Sequence, residues 1–138
     1  MERPDGYGKG LIDTDIVIDH FHGHTAALDY FAMNLAAGEA LAISVVTLTE
    51  VLSGVRSGEE KRTESLLQLF TIQQVTEAIA RQAGVYLREF RRSHHLELGD
   101  ALIGATASQL GVALVTRNLK HYPMTDIQVV VPYERGRR

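Results

Sequence analysis

The stretch Gly10–Asp19, with the sequence GLIDTDIVID, decides the fold. Leu11 and Ile12 form a short apolar segment that ends on the carboxylate of Asp13, which predicts a buried strand. Ile16–Phe21 then predicts a helix that stops before Gly23. A strand that leads directly into a helix is the unit from which helix-covered parallel sheets are built, so we expect the rest of the chain to repeat it.

The rest of the chain does alternate between strand-like and helix-like segments. Further strands are predicted where apolar, β-branched residues cluster: Leu41–Val46, Thr71–Val75, Val112–Val115 and Ile127–Val131. Further helices are predicted from apolar residues at helical spacing: Thr25–Ala37, Thr47–Val55, Glu59–Phe70, Glu77–Ser93 and Asp100–Leu110. This alternation predicts an α/β fold of three layers, a central parallel sheet of four to five strands with helices on both faces.

Two of the helices show which face should meet the sheet. In Thr25–Ala37, Leu28, Phe31 and Leu35 lie on one side and are predicted to be buried. In Glu77–Ser93 the predicted buried face is formed by Ile79, Ala83, Tyr86, Leu87 and Phe90.

Composition narrows the class of protein. The 138 residues suit a single domain, and the hydrophobic share of 45% and charged share of 22% are those of a globular chain. The absence of cysteine excludes a disulfide scaffold and a thiolate metal site. No apolar run reaches the roughly 20 residues that span a bilayer, and Met1–Gly10 lacks the apolar segment of a signal peptide, so we expect a cytoplasmic protein without membrane contact. Residues 1–8 are predicted to form a loose leader, and residues 133–138 a basic tail.

Acidic residues recur where the predicted strands end. Asp13 and Asp15 follow the first strand, Glu50 is predicted in the first turn of the helix after the second strand, and Asp100 opens the Ala-rich helix. Chemistry in open parallel sheets gathers at the carboxyl ends of the strands, so we expect these side chains to converge. Like charges that converge need a cation to offset them, and carboxylate ligands suit Mg²⁺ or Mn²⁺.

Polar residues at the same predicted edge complete the candidate site. Thr14 stands between the two aspartates, and Thr116, Arg117 and Asn118 follow the fourth predicted strand. The net charge of −3 lacks the basic surplus common in nucleic-acid binders, but an acidic metal site within a mildly basic surround gives the same total.

Each of these residues also has a purely structural interpretation. Asp13 and Asp100 suit helix caps, and Thr47 with Glu50 matches a capping box. Asn118 suits the cap of a short turn. The functional interpretation rests on all of them meeting at one edge of the sheet.

Two groups of histidines are further candidates for a metal site. His20, His22 and His24 are spaced by two, but no adjacent acid or cysteine completes a zinc set, which favours a solvated loop. His94 and His95 are predicted to end the long helix, where a cation meets the negative end of the helix dipole.

Four segments resemble, in order, the motifs of PIN-domain proteins, specifically the VapC toxins of bacterial toxin–antitoxin pairs. The segments are LIDTDIVID at 11–19, SVVTLTEVLSG at 44–54, LGDALIGATA at 98–107 and LVTRNLKHY at 114–122. The resemblance implies a PIN-like fold and a metal-dependent endoribonuclease of RNA that pairs with a small VapB-like antitoxin and forms a homodimer. Asp13, Glu50 and Asp100 match the acids of that family, and Asn118 matches its fourth, often acidic, position.

The resulting hypothesis is metal-assisted hydrolysis of a phosphodiester bond. Asp13 and Asp100 would hold Mg²⁺, or Mn²⁺ in its place, while Glu50 and Asn118 complete or orient the set. Thr14, Thr116 and Arg117 are the candidate contacts to the RNA phosphate.

Two alternatives stay open at this point. Asp13-Thr-Asp15-Ile-Val17 also fits the first motif of haloacid-dehalogenase-type phosphatases, with Asp13 as nucleophile and Asp15 as general acid. That family uses a second pair of acids late in the chain, which Gly99-Asp100 does not supply. A non-catalytic PIN-like module that only binds a protein partner is the other alternative.

Overall fold

The computed structural model describes residues 6–134 and contains a sheet in the strand order β3-β2-β1-β4-β5. The strands are β1 Leu11–Ile12, β2 Leu41–Ser44, β3 Phe70–Gln73, β4 Leu114–Val115 and β5 Val129–Val130. The helices are α1 Thr14–Phe21, α2 Thr25–Ala36, α3 Val45–Ser53, α4 Glu60–Leu67, α5 Glu77–His94 and α6 Leu98–Leu110. A single 3₁₀ turn, Leu119–His121, follows β4 in this part of the chain.

All neighbouring strands of this sheet run parallel, which confirms the predicted parallel sheet. Leu11 pairs with Ala42 on one side and with Leu114 on the other, so β1 lies in the middle. Asp13, which follows β1, therefore stands at the centre of the carboxyl edge, where strands on either side also end.

Side chains that alternate along the strands divide the interior into two cores. Leu11, Ala42 and Leu114 pack with α5 and α6, in a core that includes Ile79, Ala83, Ala101 and Ile103. Ile12, Ile43 and Val115 point to the opposite face and pack with the other helices, in a core that includes Ile16, Phe31, Val51 and Leu66. Two apolar faces on one sheet require helices on both sides, which confirms the three-layer prediction.

The boundary between β2 and α3 differs from the prediction. The apolar pattern extended the strand to Val46 and began the helix at Thr47, but the strand ends at Ser44 and the helix begins at Val45. The hydroxyl of Ser44 accepts a hydrogen bond from the Val46 amide at 3.0 Å, so Ser44 caps the helix. Hydropathy alone does not reveal this cap, because Val45 and Val46 suit either element.

The buried face of α2 was predicted correctly at Phe31 but not at the two leucines. Ala27, Phe31 and Asn34 are buried, while Leu28 and Leu35 are 39% and 46% exposed. The Asn34 side chain can be buried because its amide donates to the Tyr30 carbonyl at 2.7 Å. The face predicted for α5 is confirmed, since Ile79, Ala83, Tyr86 and Leu87 are buried and Phe90 packs against the same core.

The ends of the described region are more ordered than the prediction of a leader and tail suggested. Tyr7 falls within the predicted leader, yet its side chain is buried in the core and its hydroxyl donates to Gln73. Tyr133 falls within the predicted tail, yet it packs on the other core. Residues 1–5 and 135–138, which include most of both predicted segments, lie outside the described residues. Across 6–134, no helix combines the length and the apolar character that crossing a membrane requires.

Candidate active site

Asp13 is a buried carboxylate at the carboxyl edge, with only 5% of its surface exposed. It is the N-cap of α1, and its Oδ1 accepts a hydrogen bond from the Thr14 amide at 2.7 Å. Its Oδ2 accepts from the hydroxyls of Thr116 and Tyr122, both at 2.8 Å. The structural interpretation as a cap is therefore correct, but two further donors from distant parts of the chain also meet this carboxylate.

Asp100 lies beside Asp13, although it does not open its helix as predicted. α6 begins at Leu98, so Asp100 sits within the first turn rather than at the cap. Its Oδ1 lies 3.4 Å from the Tyr122 hydroxyl, and its Oδ2 lies 3.4 Å from the Nδ1 atom of His121. A single phenol thus touches the carboxylates of both Asp13 and Asp100.

Glu50 reaches the same place from the second turn of α3, not from the first. Its Oε1 accepts a hydrogen bond of 2.6 Å from the Thr14 hydroxyl, which also lies 3.0 Å from the Thr47 hydroxyl. A Cβ atom on Gly99 would lie 3.2 Å from Oε2, so the glycine next to Asp100 leaves room for this carboxylate. The capping-box interpretation of Glu50 is wrong, because Ser44 caps the helix and Glu50 faces α1 and α6 instead.

Asp15 completes the set and fixes the turn after β4. Its Oδ2 accepts from the Arg117 amide at 2.9 Å, its Oδ1 accepts from the Ile16 amide at 2.9 Å, and both oxygens lie 3.4 Å from the Thr116 hydroxyl. We call the carboxylates of Asp13, Asp15, Glu50 and Asp100 the acidic site.

The predicted phosphate contacts lie at this edge but have partners within the protein. The hydroxyl of Thr14 donates to Glu50, and the hydroxyl of Thr116, which is fully buried, donates to Asp13 and accepts from the Asn118 amide at 3.1 Å. Asn118 occupies the N-cap position of the 3₁₀ turn without a capping bond from its side chain.

Arg117 makes a paired contact that the sequence did not predict. Its Nε and one terminal nitrogen bind the two oxygens of Asp19, at 2.6 and 3.2 Å. The Tyr133 hydroxyl donates to the same carboxylate at 3.0 Å. We call Asp19, Arg117 and Tyr133 the Asp19 cluster. A role of Arg117 in binding substrate stays a prediction. In that role the guanidinium would bind Asp19 and a substrate phosphate at the same time.

The electrostatics of the acidic site favour a cation. Burial, together with the charge of Asp15, raises the pKa of Asp13 to about 7 against the opposing hydrogen bonds. Burial also raises the pKa values of Asp15 and Asp100, and Glu50 contributes to the rise at Asp100. Within residues 6–134, no Lys or Arg side chain forms an ion pair with these carboxylates. The His121 ring lowers the pKa of Asp100 against the rise that burial causes. Clustered, desolvated carboxylates without a Lys or Arg partner are stabilised by a bound cation.

The donor set fits a hard divalent ion with a mostly aqueous coordination sphere. In the described region, the neighbours of these carboxylates are hydroxyl groups, backbone N–H groups and the His121 ring, so the carboxylate and hydroxyl oxygens are the available ligands. Mg²⁺ binds such oxygens while keeping several waters. No group of three or more Asp, Glu or His side chains in the described part of the chain already has the geometry of a metal centre. Two protein carboxylates with waters suit the arrangement better than a three-carboxylate cage.

Sequence reasoning missed three residues of this region. Tyr122 and Asp19 stood at the ends of two of the quoted motifs, but neither received a role. His121, 54% exposed at its side chain, was not considered beside Asp100. The signal available for Tyr122 was its position directly after the 3₁₀ turn that follows a strand of the site.

Two of the three histidines between His20 and His24 contact neighbouring side chains of the protein. The His20 ring stacks on Phe31 with a centroid distance of 4.3 Å, and His24 occupies the N-cap position of α2, 3.9 Å from Asp19. The prediction that His94 ends the long helix is confirmed, and His95 follows in the left-handed conformation with φ of 52°.

The fold and the site together define a class of protein, a three-layer α/β/α domain whose parallel sheet gathers carboxylates at its carboxyl edge. Residues 10–125 match the family model described as PIN domain. The chain belongs to the PIN domain family.

Named relatives agree with this placement. Ribonuclease VapC10 of Mycobacterium tuberculosis is 44% identical over 115 residues, which are 83% of this chain and 86% of the relative. Ribonuclease VapC19 of the same species is 39% identical over 115 residues, with 83% and 92% covered. Among solved structures, a toxin–antitoxin complex from Klebsiella pneumoniae contains a chain with 34% identity and a TM-score of 0.69, which covers 90% of this chain and 98% of that one. Membership in this family favours the nuclease interpretation over the phosphatase one.

Proposed function

We propose that this protein is a divalent-metal-dependent endoribonuclease, the toxin of a type II toxin–antitoxin pair. The observation that carries the proposal is the meeting of Asp13 and Asp100 at one hydroxyl, with Glu50 beside them and no Lys or Arg ion pair to these carboxylates in the described residues. The relatives named as ribonucleases support RNA as the substrate, and they match across most of their own length.

In this proposal Asp13 and Asp100 hold Mg²⁺, or Mn²⁺ in its place, and Glu50 and Asn118 orient the rest of the coordination sphere. A bound divalent ion lowers the pKa of a water and offsets charge on the phosphoryl oxygens. Glu50 lies on the exposed side of the site and is placed to accept a proton from attacking water. Asp13 is buried, so its part is to hold the ion rather than to take the proton of the attacking water.

Substrate contacts follow from the hydroxyls and the basic residues at the same edge. Thr14 and Thr116 each donate a hydroxyl hydrogen bond to a carboxylate of the site, which supports a role for them near the phosphate that is cut. Arg117, and Lys120 in the exposed 3₁₀ turn, supply positive charge for neighbouring phosphates. An edge this open suits single-stranded RNA, whose backbone bends and whose bases are unstacked.

The expected partners and location come from the relatives. A VapB-like antitoxin is the proposed protein partner, supported by the 34% identical chain solved in a toxin–antitoxin complex. A homodimer and a cytoplasmic location are the remaining parts of the proposal.

The decisive experiment is RNA cleavage with and without metal, read by sequencing of the RNA ends. We expect cleavage with Mg²⁺ or Mn²⁺, and none after a chelator is added. Asp100→Asn should lower turnover more than about 100-fold, because second-shell partners alone already cost 10–100-fold. Asp29→Asn changes an exposed acid of α2 and serves as the matched control, with unchanged cleavage.

Three outcomes would contradict the proposal in different ways. Cleavage that persists in a folded Asp100→Asn protein would remove the assigned role of Asp100. Metal binding without cleavage of any RNA would favour the non-catalytic module. Cleavage that survives the chelator would exclude the metal-dependent chemistry.

A further inference from the structure

The hydroxyl of Tyr122 contacts two carboxylates of the acidic site, and the proposed function assigns it no role. Its hydroxyl lies 2.8 Å from Asp13 Oδ2 and 3.4 Å from Asp100 Oδ1. A phenol has one proton, so it donates the short bond to Asp13 and rests against Asp100. The two carboxylates come from different elements, the end of β1 and the first turn of α6, and this hydroxyl is a contact that they share.

The ring of Tyr122 is fixed by its packing, so the position of the hydroxyl is fixed as well. The residue is 5% exposed and belongs to the core between the sheet, α5 and α6. Gly104 lies one helical turn after Asp100, and a Cβ atom there would be 3.5 Å from Tyr122 Cδ1 and 2.7 Å from Met124 Cε. The absence of a side chain at Gly104 therefore lets this part of the chain lie directly against α6, close to Asp100.

We propose that Tyr122 is a positioning residue for the divalent cation, whose hydroxyl holds the carboxylates of Asp13 and Asp100 at the spacing in which they bind it. The inference deepens the proposed function and rests on it. Donors that orient a ligating carboxylate are worth 10–100-fold in metal affinity in other metalloproteins. Its contacts are with the proposed ligands rather than with the substrate, so Tyr122 acts through them.

A second tyrosine offers a matched control. The Tyr133 hydroxyl also donates to a buried carboxylate, Asp19, at 3.0 Å. Asp19 is paired with Arg117 and is not a proposed metal ligand. Tyr122→Phe and Tyr133→Phe therefore each remove one oxygen atom and one hydrogen bond to a carboxylate, but only the first does so at the acidic site.

The test is calorimetric titration of the whole protein with Mn²⁺ and with Mg²⁺. We expect the dissociation constant of Tyr122→Phe to rise by about tenfold or more, and that of Tyr133→Phe to stay within about twofold. In RNA cleavage, the metal concentration for half-maximal rate should rise in the same proportion for Tyr122→Phe. For Tyr122→Phe, the rate at saturating metal and the KM for RNA should stay within a fewfold of the values of the natural protein. A general loss of structure would change both values as well.

An unchanged or tighter metal affinity in Tyr122→Phe would overturn the inference. If that variant does not fold, 4-fluorophenylalanine at position 122 fills nearly the same volume but has no proton to donate, and a metal affinity equal to the natural protein's would overturn the inference instead. A natural protein that binds neither metal would overturn the inference and the proposed function together. A natural protein that binds metal but cuts no RNA would overturn the proposed function alone, and the effect of Tyr122→Phe on affinity would still decide the inference.

Discussion

The acidic site and the Asp19 cluster lie side by side and satisfy a buried carboxylate in opposite ways. Asp19 is 3% exposed and receives two bonds from the Arg117 guanidinium and one from Tyr133. Asp13 is 5% exposed and receives only neutral donors, from Thr14, Thr116 and Tyr122. Both residues belong to one nine-residue segment, 11–19.

The difference indicates which carboxylate is structural and which is reserved for a ligand. A buried charge needs either a paired charge of opposite sign or protonation. Asp19 has its cation within the chain. Asp13 has none in the described region, and its raised pKa records the cost of leaving it charged. We therefore expect the acidic site to bind a cation from solution.

The largest expected effect is on stability, at the Asp19 cluster. Asp19→Asn leaves the Arg117 guanidinium, 20% exposed at its side chain, without its charged partner. We expect the free energy of unfolding to fall by about 3 kcal/mol, since removal of one member of a buried pair strands the other. Denaturant unfolding monitored by circular dichroism measures it.

The matched control is the exposed pair between Arg81 and Glu77, whose side chains are 78% and 80% exposed. Glu77→Gln should change the free energy of unfolding by no more than about 0.5 kcal/mol, because an exposed pair is screened by water. Equal losses in the two variants would show that the Asp19 pair is no more than a surface contact.

At the acidic site, where Asp13 has no paired cation, we predict that the free energy of unfolding depends on pH. The pKa of Asp13 is about 7 in the folded protein against 3.8 in the unfolded chain, so the folded state holds the extra proton between these values. The stabilisation is fully present below about pH 4 and is lost as the pH rises through 7. Without metal, we expect the protein to lose about 2 kcal/mol of stability between pH 5 and pH 8.

Two further measurements sharpen that prediction. Added Mg²⁺ should restore stability at pH 8, because a ligand that binds only the folded state stabilises it. Asp13→Asn cannot titrate at this position, so it should flatten the change between pH 5 and pH 8 while it removes RNA cleavage. Metal-free stability that rises from pH 5 to pH 8 would contradict the raised pKa.

The smallest expected effect tests whether Glu50 belongs to the acidic site. In Gly99→Ala the new Cβ atom would stand 3.2 Å from Glu50 Oε2, so the carboxylate must move. We expect a loss of RNA cleavage of a fewfold with a change in unfolding free energy below about 1 kcal/mol, because alanine also favours the helix. Kinetics at saturating metal and thermal melting measure the two effects.

Gly84→Ala on α5 is the control, since no atom lies within 4 Å of a Cβ placed there. It should raise stability by about 0.5–1 kcal/mol and leave cleavage unchanged. If Gly99→Ala behaves the same way, Glu50 does not need its present position for the reaction.

The order of strands and helices could be read from the sequence because it depends on local composition. The buried strands are short runs of aliphatic residues, and acids that follow a strand or begin a helix were expected at the carboxyl edge of the parallel sheet. This is why Asp13, Glu50 and Asp100 could be predicted as neighbours although they lie on separate elements. The first residues of helices were harder to predict from the sequence, because the boundaries at Ser44 and Leu98 are recognised only from the hydrogen bonds of the backbone.

Contacts between distant elements were decided by the tertiary structure alone. The burial of Asn34 in place of Leu35 depends on how α2 lies against the sheet, and helical periodicity does not specify that angle. Which acid takes Arg117 and which takes Tyr122 depends on distances of a few ångströms, set by close packing such as that at Gly104. The sequence therefore determined that carboxylates would gather at one edge, and only the packed chain decided which of them keeps an internal cation and which is left to bind one.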